Sequence, residues 1–287
     1  MKDEIEIIIF GAGGLSKKVI ESIKNTCKIS YVIDNDKSKW GTCFEGFIIQ
    51  SPSILTNINF EKSKIIIASS FYEEISNQLK EIRLRENIHF FSCEINIENI
   101  YTANLVSSKI QGADIVLDIG CGIRPQQFIV PKVHICCDPF HEYIEHLQTK
   151  VKKNQGKTSF IFIKATFDQI LNLLPPKSID TIFLLDVIEH IEKEEVKELL
   201  KMAQDLAKKQ IIIFTPFGFM PQEHKNGKDA WGMNGGKWQA HKSGWTIEDF
   251  DDSWEIIIDK ERHLVNNKGE KFVKPYSALW GIKTIDD

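Results

Sequence analysis

The sequence predicts an α/β protein made of two Rossmann-like domains. Three observations carry that expectation. Short runs of Ile, Val, Leu and Phe alternate with amphipathic stretches along the chain, the pattern of parallel strands covered by helices. Two of those runs break into glycine-rich turns, "IIIFGAGG" at 7–14 and "IVLDIGCG" at 115–122. The strand after each turn ends in an acid, Asp34 in the first case and Asp138 in the second.

In the first half, residues 5–10 read as a strand and 15–25 as a helix with Val19, Ile20 and Ile23 on one face. A second strand covers 29–36, further strands fall within 47–52 and 63–70, and 71–84 is an amphipathic helix. Gly11, Gly13 and Gly14 form the turn after the first strand, but Ser16 stands at the third position of the dinucleotide fingerprint. Asp34 lies where an acid could take a ribose diol. A nucleotide site and a purely structural turn both remain open for these residues. Residues 98–111 lack a strong period and are expected to be a connection with a helical turn or two. The division is therefore 1–97, a connection at 98–111, and 112–287.

The alternation restarts in the second half. After the 115–122 turn, strands are expected within 132–138, 158–167, 178–191 (running into a helix), 208–219, 254–259 and 277–285. Gly120 and Gly122 permit positive φ and close approach of backbone to a ligand. Asp138, ending the next strand, can accept two hydrogen bonds from the hydroxyls of a ribose. Pro125 occupies the third fingerprint position and suits the first turn of a helix, where its missing N–H costs nothing. The expectation is a ribose-bearing cofactor without phosphates, because a pyrophosphate needs those first amides.

Composition removes several classes of function. The 287 residues carry 36 basic against 40 acidic side chains, a net charge of −4, which speaks against a protein built to grip nucleic acid. The six cysteines include no Cys-x-x-Cys, so neither a disulfide framework nor a zinc knuckle is expected. The acidic start "MKDEIEIIIF" is unlike a signal peptide, and no apolar stretch approaches the roughly 20 residues of a membrane-spanning helix. A cytoplasmic location is expected. The oligomeric state stays open, a homodimer being one option.

Two resemblances add to this reading. "FGAGGLSKKVIESI", "VIDNDKSKWG", "GFIIQSPSIL" and "IIIASSFYEEI" make residues 5–95 similar to the nucleotide-sugar-binding domain of bacterial sugar acyltransferases. They are more similar still to a module fused to methyltransferases of surface-polysaccharide gene clusters. That resemblance implies a module that binds or presents a ligand through Gly11, Gly13, Gly14 and Asp34. The second covers 110–285, where Asp118-x-Gly120-x-Gly122, Asp138 and "FLLDVIEHI" resemble the signature of class I S-adenosylmethionine-dependent methyltransferases. It implies a seven-stranded sheet with an antiparallel last strand, and S-adenosylmethionine as cofactor. By position, Asp118, Gly120, Cys121 and Gly122 would form the methionine and ribose turn, and Asp138 would hold the diol with Pro139 and Phe140 beside the adenine. Ala165, Thr166 and Phe167 would close over the base, with Leu185 and Asp186 under the methyl group. Arg124 replaces the third glycine common in that family and offers a cation to an anionic group.

Methyl transfer from a sulfonium requires alignment of the acceptor and, for a hydroxyl, removal of its proton. Asp186, Glu189 and His190 are expected on one face of a helix leaving the fourth strand, at i, i+3 and i+4. The aperiodic, glycine- and tryptophan-bearing segment 217–245 reads as a functional loop. His241 within it is the first choice for general base, with His190 and Asp186 as catalytic partners. "QAHKSGW" at 239–245 resembles the segment lining the acceptor pocket of such methyltransferases. Arg124, Trp231, Gln239 and Trp245 are the candidate acceptor contacts, and Trp238 offers a further aromatic face. No metal is expected, although Asp186, Glu189, His190 and His241 could together hold a divalent ion that grips a vicinal diol.

The expected activity is O-methylation of a sugar or nucleotide-linked sugar in surface-glycan biosynthesis, with no nucleic-acid partner. The rivals are an NAD(P)-dependent nucleotide-sugar enzyme working from the first turn, and a metal-assisted methyltransferase acting on a diol or an RNA end.

Overall fold

The structure, a computed structural model, describes residues 5–152, 158–224 and 226–286. The chain divides into two compact units, Met1–Ser107 and Ser108–Asp287.

In the first unit the elements are β1 (Glu6–Phe10), α1 (Gly14–Ile23), β2 (Lys28–Ile33), β3 (Cys43–Phe44), β4 (Phe47–Gln50), β5 (Ser63–Ile67), α2 (Tyr72–Glu81), β6 (Phe90–Ser92) and α3 (Ile97–Lys109), which runs on past the boundary. The sheet order is β3-β4-β2-β1-β5-β6, parallel except at the β3–β4 hairpin. Because strand side chains alternate, β1 sends Ile7 and Ile9 to one face, with Ile20 and Ile23 of α1, and Ile8 and Phe10 to the other, with Ile75 and Leu79 of α2. The expected connection at 98–111 is mostly α3, a helix of 13 residues whose Ile100 packs into this first core. Asn99 and Val106 stand seven residues apart on one face, but Asn99 is polar, so the buried face leaves no apolar period in the sequence.

The second unit contains β7 (Ile115–Ile119), β8 (Val133–Asp138), α4 (His141–Lys152), β9 (Ser159–Lys164), α5 (Phe167–Leu173), β10 (Ile179–Leu185), α6 (Lys193–Leu206), β11 (Ala207–Pro216), β12 (Trp254–Val265) and β13 (Lys271–Thr284). Its seven strands run in the order β12-β13-β11-β10-β7-β8-β9, with β13 antiparallel to both neighbours. This is the α/β sheet of a class I methyltransferase fold. Leu117 and Ile119 of β7 face α5 and α6, whose Ile170, Val196, Leu199 and Ala203 complete the main core. Cys121 and Cys136 face α4, against Ile144 and Leu147.

Two local expectations fail. Pro125 opens no helix, since residues 121–132 are irregular. The Gln126 side chain holds that segment instead, donating to the Ile129 carbonyl and accepting from the Ile129 N–H. Nor do Asp186, Glu189 and His190 share a helix face. Asp186 has φ +54, a left-handed corner open to an aspartate, and only a single 3-10 turn, Ile188–His190, precedes α6.

Candidate active site

In the second unit the cleft lies at the carboxyl ends of β7, β8 and β10, where ligands bind open α/β sheets. Its cavity volume is about 190 Å³. Ile119, Gly120, Asp138 and Pro139 form one side, Ala165, Thr166 and Phe167 a second, Asp186, Val187 and His190 the floor, and Trp238, Gln239 and Lys242 the rim.

Backbone geometry fixes the turn. Gly120 has φ +65, and a Cβ there would meet Val187 Cγ2 at 2.6 Å. Gly122 has φ +51, and its Cβ would strike the Trp231 ring at 2.7 Å. Asp138 Oδ2 accepts from Gly122 N at 3.0 Å and Oδ1 from Phe140 N at 2.8 Å, leaving lone pairs on both oxygens. Burial lifts the Asp138 pKa to about 6 against the pull of those two N–H groups. A turn that excludes side chains, beside a buried double acceptor and an apolar wall, fits a ribose-bearing cofactor.

That shift carries a pH dependence. Ribose hydroxyls donate to the carboxylate form, so a bound diol lowers the Asp138 pKa. Affinity for S-adenosylhomocysteine is expected to be full above pH 7 and to fall about tenfold per unit as pH drops below about 6. Calorimetric titration between pH 5 and 8 checks this, and Asp138→Asn should flatten the profile.

Asp118 stands behind the turn rather than in the cleft. Its Oδ2 accepts from Gln126 N at 2.6 Å and lies 3.4 Å from His134 Nε2. Burial alone would lower the His134 pKa, but Asp118 and Cys136 overcome it and raise it to about 9, leaving a buried ion pair under the turn. Cys121 is turned into the core, Arg124 is exposed, and neither Phe140 nor Leu185 reaches the cleft wall. Trp245 is fully buried, donating to Ser243 Oγ and tilted against Phe250, so it presents no face to a ligand. Trp231 packs on Gly122 and edge-on to Tyr143, while Trp238 and Gln239 do line the cleft.

The 217–245 loop is tied down at two points. Lys242 N and Ser243 N donate to the Glu189 carbonyl at 2.7 and 3.1 Å. Asp229, buried, accepts from the N–H groups of Trp231, Met233 and Gly235 and from the Tyr143 hydroxyl at 2.5 Å. Neither Tyr143 nor Asp229 was singled out from sequence. The available signal was a tyrosine on the buried face of α4, whose hydroxyl must find a partner.

Beneath Gln239 and Lys242, His190 and His241 meet edge to face with ring centroids 4.9 Å apart. His241 Nδ1 lies 2.5 Å from the Met220 carbonyl and His190 Nδ1 3.1 Å from that of Ala240. A carbonyl only accepts, so each Nδ1 carries the proton and each Nε2 presents a lone pair. Burial lowers both pKa values to about 4, so both rings are neutral at pH 7. Glu189, almost fully buried, accepts from Thr215 Oγ1 at 2.9 Å. Asp186 opens onto the cleft, where restricted hydration and then Glu189 push its pKa up, Arg262 opposing and cleft solvent tempering the effect. Of the four tentative metal ligands, Glu189, His190 and His241 offer donor atoms within 4.8 Å of one another, and Asp186 is not among them.

In the first unit Gly11, Gly13, Gly14 and Asp34 do come together, around a cleft that also includes Lys18 and Lys39. Gly11 has φ +118, and a Cβ there would sit 2.7 Å from the Ala68 carbonyl oxygen. Asp34 is already engaged with Ala12 N, Asp36 N and Lys39 Nζ at 2.7, 2.8 and 3.0 Å.

Residues 117–214 match the methyltransferase domain family, and residues 3–88 match the family described as C2185-like, N-terminal. No curated protein matches the sequence. Among solved structures, the chain is similar to magnesium protoporphyrin IX methyltransferase from Synechocystis PCC 6803 with bound S-adenosylhomocysteine (16% identity, TM-score 0.41, 75% of this chain and 96% of that one). It is also similar to WbdD (15%, 0.42, 63% and 33%) and to YcgJ from Bacillus subtilis (13%, 0.42, 64% and 97%). Residues 117–214 are thereby a methyltransferase domain, of the kind that takes its methyl group from S-adenosylmethionine. Among the described residues, no helix is long and apolar enough to cross a membrane.

Proposed function

We propose that the protein O-methylates a hydroxyl of a sugar or nucleotide-linked sugar, with the second unit catalytic and the first a ligand-binding module. The observation that carries this reading is a pair of neutral imidazoles, His190 lining the cofactor cleft with Asp186 and His241 packed edge to face against His190 just outside it. When bound, S-adenosylmethionine supplies a methyl carbon already activated by its sulfonium. Asp138 would hold the ribose, the Gly120 backbone would lie along the cofactor, and Ala165, Thr166 and Phe167 would enclose the base. An acceptor entering past Trp238 and Gln239 would lay an apolar sugar face on the indole. His241 Nε2 would take the hydroxyl proton, with His190 and Asp186 orienting the acceptor oxygen. His241 is a weak base, so the proton leaves late, as the new O–C bond forms.

The first unit supports the sugar reading through its resemblance to nucleotide-sugar-binding domains and its glycine-lined cleft with two lysines. A screen of nucleotide sugars and free sugars with radiolabelled methyl donor tests the proposal. Label transferred to a sugar hydroxyl, at a rate reduced by Trp238→Ala through KM, is expected. Transfer only to protein, RNA or a non-sugar metabolite would overturn the acceptor class.

A further inference from the structure

We propose that Glu189, His190 and His241 form a binding site for one divalent first-row transition-metal ion at the edge of the cofactor cleft. Three groups that only accept hydrogen bonds point at one another here. Both Nε2 lone pairs are fixed by the Nδ1 protons held on the Met220 and Ala240 carbonyls. Such carbonyl partners are what orient imidazole ligands. Glu189 Oε2 takes the Thr215 hydroxyl, but Oε1 lies 3.9 Å from His190 Nε2, too far for a hydrogen bond. One ligand atom from each residue falls within 4.8 Å of the others. A carboxyl 1% exposed either keeps a proton or pairs with a cation, and a neutral His190 does not supply that charge. A cation ~2.1 Å from each atom would, after small side-chain rotations.

A third imidazole strengthens the case. His224 Nδ1 is 2.8 Å from the Lys228 carbonyl, and its Nε2 is buried with no hydrogen-bond partner among the described residues. It lies within electrostatic range of both His190 and His241. Two nitrogens and one oxygen select Mn, Fe, Co, Ni or Zn over Mg or Ca.

Resting on the proposed O-methylation, the ion would bind the acceptor oxygen beside the methyl group. His241 is then a ligand, and the acceptor's proton passes to the Asp186 carboxylate as the O–H and S–C bonds break and the O–C bond forms.

The test is titration of chelator-treated, full-length protein with Co²⁺, read by its visible absorption, with S-adenosylhomocysteine calorimetry on the same samples. One Co²⁺ per chain is expected in the wild type, lost in Glu189→Gln and in His241→Ala while both variants still bind S-adenosylhomocysteine. Wild-type protein that binds S-adenosylhomocysteine but no Co²⁺, or variants that bind Co²⁺ as the wild type does, would overturn the site. Sugar methylation by protein that takes no Co²⁺ would sink the ion alone, and Co²⁺ binding without sugar methylation would sink the acceptor alone.

Discussion

Replacing Asp138 with alanine is expected to lower the affinity for S-adenosylmethionine by about 100-fold or more. Two ribose hydroxyls donating to a buried carboxylate are each worth roughly 1.5–3 kcal/mol, and both are lost together. At about 1.4 kcal/mol per factor of ten, the loss spans about 100-fold to 10,000-fold. The same substitution frees Gly122 N and Phe140 N, so part of the cost comes from a loosened turn. Asp138→Asn separates the two effects, because the amide oxygen can still accept from one backbone N–H. Equilibrium binding measured for both variants, with thermal melting to confirm folding, checks the expectation. An alanine variant binding within about threefold of wild type would remove Asp138 from the cofactor site.

The second large effect falls on turnover. His241→Ala should lower kcat by about 100-fold to 10,000-fold, the usual worth of a positioned proton acceptor. Cofactor affinity should change little, since His241 does not line the cofactor cleft. The loss is expected whether His241 takes the proton itself or holds an ion, because both roles need its Nε2. The variant also leaves the Met220 carbonyl without its partner, so the loop from 217 to 245 is to be checked by proteolysis. Single-turnover rates with saturating donor isolate the chemical step. An unchanged rate would exclude His241 from catalysis.

What the sequence conveyed followed period and position. "IVLDI" and "VHICCD" are near-continuous apolar runs, the mark of parallel strands buried on both faces, and an acid at a strand's end lands at a sheet's carboxyl edge without further information. Asp138 was legible for that reason. The corner at Asp186 was not, because nothing in "LLDVIEH" records a positive φ, and the i, i+3, i+4 spacing of a helix persists on paper after the helix has been replaced by a 3-10 turn. Trp231, Trp238 and Trp245 look alike in sequence, yet one caps the glycine turn, one lines the cleft and one fills the core. Only their surroundings in the fold separate them, Gly122 and Tyr143 for Trp231, the open cleft for Trp238, and Ser243 and Phe250 for Trp245. β12 and β13 extend further than the apolar runs suggested, because paired strands carry charged residues such as Lys260 and Lys274 beyond the core.

The central claim, that the 118–122 turn and Asp138 hold the methyl donor, is tested most directly by calorimetric titration of the full chain with S-adenosylhomocysteine. NAD serves as the competing ligand, and Asp138→Ala and Asp34→Ala as paired variants. One S-adenosylhomocysteine per chain, lost in Asp138→Ala, kept in Asp34→Ala and undisturbed by NAD, is the predicted result. Binding of NAD but not S-adenosylhomocysteine, abolished by Asp34→Ala, would contradict it and move the chemistry to the first unit.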